Sequence, residues 1–198
     1  KLKDLDSRFK NVIKKKDSNK IFSDKSIDLV CIASFDNYHF RHVKSCIDKN
    51  KHIFVEKPIC LKTKELSEII KLLKKNKTVK LSSNFVLRTH PSFIGLKKEI
   101  NNRSFGRIYF SEGSYNYGRI EKILYGWRSK IPYYSIIHGG GLHIIDLILW
   151  LFNKKLSKVR SLGNKIVTNK KNFKFKDFVI SDLIFTDKSI SRIISNFG

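Results

Sequence analysis

Two short apolar runs, Ile27-Asp28-Leu29-Val30-Cys31-Ile32-Ala33 and His52-Ile53-Phe54-Val55, constrain this sequence more than any other feature. Each has the length and β-branched content of a strand, and polar segments flank both. The stretch 39–49 between them has helical character. Strand, helix and strand in that order imply a crossover between parallel strands. The first run is apolar enough to be buried on both faces, as parallel strands usually are, which makes Cys31 a small core residue. A further helix follows, with Thr63 as its N-cap and Leu66, Ile69, Ile70 and Leu73 at helical spacing. Val79-Lys80-Leu81-Ser82-Ser83 then reads as a third strand.

The pattern changes after Phe85. Residues 92–101 suggest a helix, Phe105-Gly106-Arg107 a turn, and 108–117 a long alternating strand. Residues 142–152 are strongly apolar and helical. From Val159 onward the chain reads as long strands with turns at 169–172 and 186–188 and few helices between them, a pattern of antiparallel pairing. The expected fold class is α/β: a partial Rossmann-type parallel sheet in residues 1–85, then an α+β domain with a mostly antiparallel open sheet in residues 86–198.

Composition removes several alternatives. The formal net charge of +24 over 198 residues raises the question of nucleic acid or an anionic surface. Yet lysine far outnumbers arginine and is spread along nearly the whole chain. The densest run, Lys14-Lys15-Lys16, is short and ends at Asp17. A dispersed compositional bias explains this better than a dedicated polyanion surface, so no nucleic-acid partner is expected. No apolar run reaches the ~18 residues of a membrane span, and no signal peptide is evident; no membrane partner and a cytoplasmic location are expected. The cysteines at 31, 46 and 60 form no CxxC pair, so neither a redox motif nor a metal site is indicated.

Two stretches have the makings of a site. Ligands of open parallel sheets bind at the carboxyl ends of strands. Those ends are Ala33-Ser34-Phe35-Asp36-Asn37-Tyr38-His39 and Glu56-Lys57-Pro58. Lys57 precedes proline, which keeps it extended, and the bond to Pro58 is a candidate cis bond. In a chain so rich in lysine, Lys57 taken alone reads as a solvated side chain. The other stretch is His138-Gly139-Gly140-Gly141-Leu142-His143-Ile144-Ile145-Asp146. Its glycines allow a close backbone approach to a ligand. They also place His143 in the first turn of a helix, where the dipole favours a neutral imidazole able to accept a proton. His143 and Asp146 share a helix face. Tyr115, Tyr117, Trp127 and Arg128 form a polar-aromatic group suited to a sugar-like ligand.

Taken in order, these stretches resemble the glucose-fructose oxidoreductase and inositol dehydrogenase family (Gfo/Idh/MocA). The resemblance runs through the first apolar strand, Lys51-His52-Ile53-Phe54-Val55-Glu56-Lys57-Pro58, Arg88 and Pro91, and Phe105-Gly106-Arg107-Ile108. Gly126-Trp127-Arg128 and the triple glycine with His143-Ile144-Ile145-Asp146-Leu147 complete it. It covers most of the chain and reverses the reading of Lys57 as a plain surface lysine. The resemblance implies NAD or NADP as cofactor, and hydride transfer to or from a sugar, a polyol or a nucleotide-linked sugar. Lys57 and His143 are the implied catalytic residues. Asp4, Ser34, Asp36, His39, Glu56, Lys57 and Pro58 are the implied cofactor-binding set. Arg88, Tyr115, Trp127, Arg128, His138 and Asp146 are implied on the substrate side. A homo-oligomer built through the second-domain sheet is also expected.

Two departures from the family pattern stand out. The family's first strand and glycine-rich pyrophosphate loop are missing, as are its last strands, so the chain is expected to be an internal piece of a longer protein. The aspartate that many members carry four residues before the histidine is Gly139 here, with His138 adjacent as a partial substitute. That loss keeps a second reading open, a relative that binds a sugar or dinucleotide without turnover. A basic nucleic-acid-binding protein is the third.

Overall fold

In a computed structural model, residues 16–131, 134–168 and 173–198 are described. Asp4, Lys14-Lys15 and the expected turn at 169–172 lie outside them. The chain divides into two compact units, the first ending at Ser83 and the second beginning at Asn84.

The first unit is a three-stranded parallel sheet in the order β1-β2-β3, with β1 Leu29–Ile32, β2 His52–Val55 and β3 Leu81–Ser83. A short helix α1 (Ser18–Phe22) precedes β1, and Asp17 caps it by accepting from the Asn19 amide at 2.9 Å. The crossovers are α2 (Asp36–Asp48) and α3 (Thr63–Lys75). Val30, Ile32, Ile53 and Val55 point to one side of the sheet and pack with Val43, Cys46 and Ile47 of α2 and Ile69 of α3.

Three expectations need correction. β1 is buried on one face only. Leu29 is 55% exposed, and Cys31 and Phe54 also lie on the open side. Cys31 is therefore not a core residue: both crossover helices pack against the opposite face, and the two-residue period of the strand turns Cys31 away from them. Helix α2 starts three residues earlier than expected, which places Asp36 and His39 in the helix rather than in a loop. Thr63 is not the cap of α3. Lys62 takes the extended N-cap position, and the Glu65 carboxylate accepts from the amides of Leu61 (3.1 Å) and Lys62 (3.2 Å). Glu65 thus reaches back from the first turn to the N-cap amide and the amide before it.

The second unit begins with a 3-10 turn, Val86–Thr89, and α4 (Pro91–Asn101), which has proline at its first position and His90 as cap. Its sheet has the order β4-β7-β6-β5, with β4 Phe110–Asn116, β5 Leu156–Asn164, β6 Phe178–Phe185 and β7 Ile190–Asn196. β5/β6 and β6/β7 are antiparallel, and β4/β7 is parallel, so the sheet is mostly antiparallel, as expected. Helix α5 (Ile120–Leu124) lies between β4 and the third helix of the unit, α6 (Leu142–Phe152). α6 lies on the sheet, with Ile148 packed among Leu183, Phe185 and Ile193. It passes close to Gly113 of β4, where a Cβ would stand 2.5 Å from Ile144. No helix among the described residues is long and apolar enough to cross a membrane.

Candidate active site

In the first unit, parallel pairing brings the ends of β1 and β2 side by side. Ile32 is in register with Val55, and the Glu56 amide donates to the Ile32 carbonyl at 2.9 Å. Glu56 and Lys57 are half-buried at this edge, Pro58 is buried, and the Lys57–Pro58 bond is cis. Ser34 and Asp36 are half-buried at the neighbouring end of β1 and the start of α2.

His39 occupies a different place from the cofactor-lining one expected of it. Its side chain is fully buried. Nδ1 meets the Pro58 carbonyl oxygen at 2.6 Å, and Nε2 meets the Ser34 carbonyl oxygen at 3.0 Å. The ring joins the loop after β1 to the loop after β2 and presents no edge to a ligand. His42, one turn on, lies 3.1 Å from the Ser34 hydroxyl. Burial, and then the charges of Arg41 and His39, hold its pKa below the ordinary histidine value.

In the second unit, Tyr115, Tyr117, His143 and Phe85 form one aromatic group. Tyr115 lies nearly parallel to His143 (centroids 6.4 Å, 27°), and Phe85 meets the imidazole edge-on (6.4 Å, 87°). Tyr117 continues the stack beyond Tyr115 (6.1 Å, 15°). Burial, followed by the neighbouring Tyr117, raises the Tyr115 phenol pKa, against the opposing charges of Arg128 and Arg119. Phe85 was not singled out by sequence reasoning, since nothing in its spacing distinguishes it from a strand residue.

Arg88 and Asp146 hold each other. Nε and Nη2 of Arg88 donate to the two Asp146 oxygens at 2.7 and 2.5 Å. This paired geometry raises the arginine pKa. Arg128 lies over the Trp127 ring at 4.3 Å and reaches the Tyr134 ring at 5.9 Å. His138 faces the Ser135 hydroxyl at 2.8 Å through Nδ1.

The triple glycine is not a loop before a helix. Helical backbone starts at Ile136, runs through a π-helical segment, Ile137–Gly141, and continues unbroken into α6. His143 therefore lies beyond the first turn, where the terminal dipole no longer acts, so the electrostatic reason for a neutral imidazole does not hold here. The glycines make room for side chains rather than for a ligand. A Cβ on Gly139 would collide with the Tyr134 hydroxyl, one on Gly140 with the Tyr115 ring, and one on Gly141 would stand 2.6 Å from the Ser195 hydroxyl.

A cavity of about 720 Å³ in the second unit lies at the other end of β4, between Arg103, Arg107, Phe152 and Lys154. Lys154 is already engaged there, donating to the Ile108 carbonyl, the Ser189 hydroxyl and the Asp187 carboxylate. Among the described residues, no group of three or more His, Cys, Asp or Glu side chains comes together that could hold a metal ion.

Residues 4–85 match the oxidoreductase family described as an NAD-binding Rossmann fold (Gfo/Idh/MocA). The scyllo-inositol 2-dehydrogenase (NADP(+)) IolW of Bacillus subtilis (strain 168) is 34% identical over 133 residues, which is 67% of this chain and 37% of that protein. This chain belongs to the Gfo/Idh/MocA family of oxidoreductases. An inositol 2-dehydrogenase of Acidothermus cellulolyticus is 23% identical over 163 residues, 82% of this Gfo/Idh/MocA chain and 46% of the relative. The chain thus spans less than half the length of these two curated relatives. Among solved structures, the myo-inositol 2-dehydrogenase of Lactobacillus plantarum shares the fold at a TM-score of 0.84 and 20% identity, over 92% of this chain and 55% of that one. The scyllo-inositol dehydrogenase of Lactobacillus casei, solved with bound NAD(H) and scyllo-inositol, shares it at 0.79 and 19% identity, over 92% and 54%.

Proposed function

We propose that this Gfo/Idh/MocA protein is an NAD- or NADP-dependent oxidoreductase that moves a hydride between nicotinamide and a CH–OH carbon of a polyol. Cyclic polyols of the inositol type are the first substrate class, with sugars and nucleotide-linked sugars as the wider one. The observation that carries this reading is Lys57, half-buried at the carboxyl end of β2 beside the end of β1. Relatives named for inositol dehydrogenation support the substrate class.

The donor set fits the nicotinamide-ribose part of such a cofactor. The Ser34 hydroxyl, the Asp36 and Glu56 carboxylates and the Lys57 ammonium supply the donors and acceptors that ribose hydroxyls need, at the edge where parallel sheets take ligands. The sequence holds no G-x-G-x-x-G run, and its three consecutive glycines are helical. These residues therefore account for the ribose side and not for the pyrophosphate.

Oxidation of a secondary alcohol removes a hydride from carbon and a proton from oxygen. Bound nicotinamide supplies the hydride acceptor. Lys57 donates a hydrogen bond to the reacting hydroxyl and to the cofactor ribose. His143 takes the hydroxyl proton. Trp127, Arg128 and His138 serve the substrate hydroxyls, and the Arg88–Asp146 pair presents a fixed polar surface to them. A homo-oligomer through the open face of the second sheet belongs to the same reading.

A specific observation favours a second reading, a relative that binds without turnover. At position 139, where many members carry aspartate, the space for a side chain is filled by the Tyr134 hydroxyl. The two readings part on one measurement, NAD(P)H formation by the intact protein over a panel of polyols. A dehydrogenase turns over at least one of them, and Lys57→Ala lowers its kcat by about 10²-fold or more, the usual scale for losing a hydrogen-bond donor to the reacting oxygen. Cofactor binding with no turnover on any polyol points to the binder, and activity untouched by Lys57→Ala removes the catalytic role.

A further inference from the structure

We infer that Tyr115 is a positioning residue that sets the plane of the His143 imidazole, and that Gly140 is the seat that lets it do so. The inference rests on His143 being the proton acceptor of the proposed reaction.

Three observations converge. The Tyr115 ring lies against the π-helical segment at Gly140, where a Cβ would fall on Cε1 and Cδ1 of the ring. These are carbons in the body of a rigid ring, so any side chain at 140 displaces the whole ring. His143 stands three residues further along the same helix and shares that face. Its imidazole lies 27° from the Tyr115 plane at a centroid separation of 6.4 Å. Phe85 closes a second side, almost perpendicular at 87°. One ring near-parallel and one perpendicular restrict rotation about the Cβ–Cγ bond of His143, a torsion that is otherwise broad. The direction of the proton-accepting nitrogen then follows from Tyr115, and the position of Tyr115 follows from the missing side chain at 140.

What does this work is the ring and not the hydroxyl. That separates the inference from a role of the Tyr115 hydroxyl as a hydrogen-bonding substrate contact. It also gives the glycine triplet a reason at Gly140 that has no part in flexibility.

The test compares Tyr115→Phe, Tyr115→Leu and Gly140→Ala in the intact protein, with kcat and KM measured separately on the best polyol. In the same variants the His143 ring resonances are followed by nuclear magnetic resonance. Tyr115→Leu and Gly140→Ala are expected to lower kcat by about 10- to 100-fold, the scale of a misplaced catalytic group, with KM nearly constant. Tyr115→Phe restores most of that loss and keeps the wild-type His143 resonances, whereas Tyr115→Leu moves them. A KM raised equally by Phe and Leu means that the hydroxyl binds substrate, and it overturns the inference. So does a Tyr115→Leu variant with unaltered kcat. If His143→Asn leaves turnover intact, the catalytic reading of His143 fails, and the His143 resonances still decide whether Tyr115 orients the ring. Should Gly140→Ala fail to fold, the two Tyr115 variants carry the comparison.

Discussion

His39 shows how a residue that looks like a ligand contact can instead be a structural tie. Its two nitrogens each meet a carbonyl oxygen, from Ser34 and from Pro58, and these lie on loops that follow different strands. Leucine at 39 would remove the ring from the buried Pro58 carbonyl and from the half-buried Ser34 carbonyl. At roughly 1–3 kcal/mol for a buried unsatisfied group, His39→Leu is expected to lower stability by about 1–3 kcal/mol. Urea unfolding of the intact protein, followed by a probe in the first unit, checks this; a midpoint equal to wild type would show that the tie carries no weight. The residue's place was only half legible. Its spacing after the strand marked it, but whether a histidine faces a ligand or a buried carbonyl depends on Pro58, nineteen residues away in sequence. Arg88 and Asp146 repeat the lesson. Each was marked for a substrate, and they grip one another.

At the scale of elements, local period was the reliable guide and local chemistry the unreliable one. The strand-helix-strand-helix-strand order of the first unit was visible in the apolar runs because each run has a strand's length and composition. The burial of β1 was not, since an apolar run does not say on which side the helices pack. The helix at 142–152 was visible from its hydrophobicity, but its continuation back through three glycines to Ile136 was not. Glycine disfavours helix locally, and only the close approach of Tyr134, Tyr115 and Ser195 explains the choice. The β6–β7 turn carries a prediction of its own. Asp187 accepts from the Ser189 hydroxyl (2.6 Å) and amide (3.1 Å) and pairs with Lys154 at 2.9 Å. These partners hold its pKa well below the usual carboxylate value. The folded turn therefore binds fewer protons than the unfolded chain in acid. Its contribution to stability is complete above about pH 4, the pKa of a free aspartate, and is lost as the pH falls further. Asp187→Asn is expected to flatten that acid limb in an unfolding-versus-pH series and to leave its slope above pH 5 unaltered.

Over the whole molecule, the face of the four-stranded sheet turned away from α6 is open, with Phe110, Glu112, Ile190 and Arg192 exposed on it. Its cross-strand rows alternate in character. Phe110, Ile190 and Ile184 form one row, Glu112, Arg192 and Asp182 the next, and Ser114, Ile194 and Ile180 a third. Arg192 donates to both oxygens of Asp182 at 2.8 and 3.0 Å in the charged row. Apolar rows around a paired charged one suit a second copy of the chain, because each copy offers the same pattern to the other. Ile194→Asp places a charge in the third row and is expected to shift the intact protein towards monomer in light scattering. An unchanged mass at matched concentration would locate the contact elsewhere. The dispersed net charge of +24 works against any such association, so the dimer is expected to strengthen with added salt.

The outward turn of β1 also divides the three cysteines among three solvents. Cys31 stands in water, Cys60 is partly covered, and Cys46 is sealed under α2. Burial pushes the Cys46 thiol up to about 11 and raises that of Cys60 as well. Only thiolates react with alkylating reagents, so the chain carries a graded chemical clock: Cys31 labels first, Cys60 later and Cys46 only on unfolding. Timed alkylation read by mass spectrometry tests that order. In the intact protein, slow labelling at Cys31 would report directly that something covers the outer face of the parallel sheet.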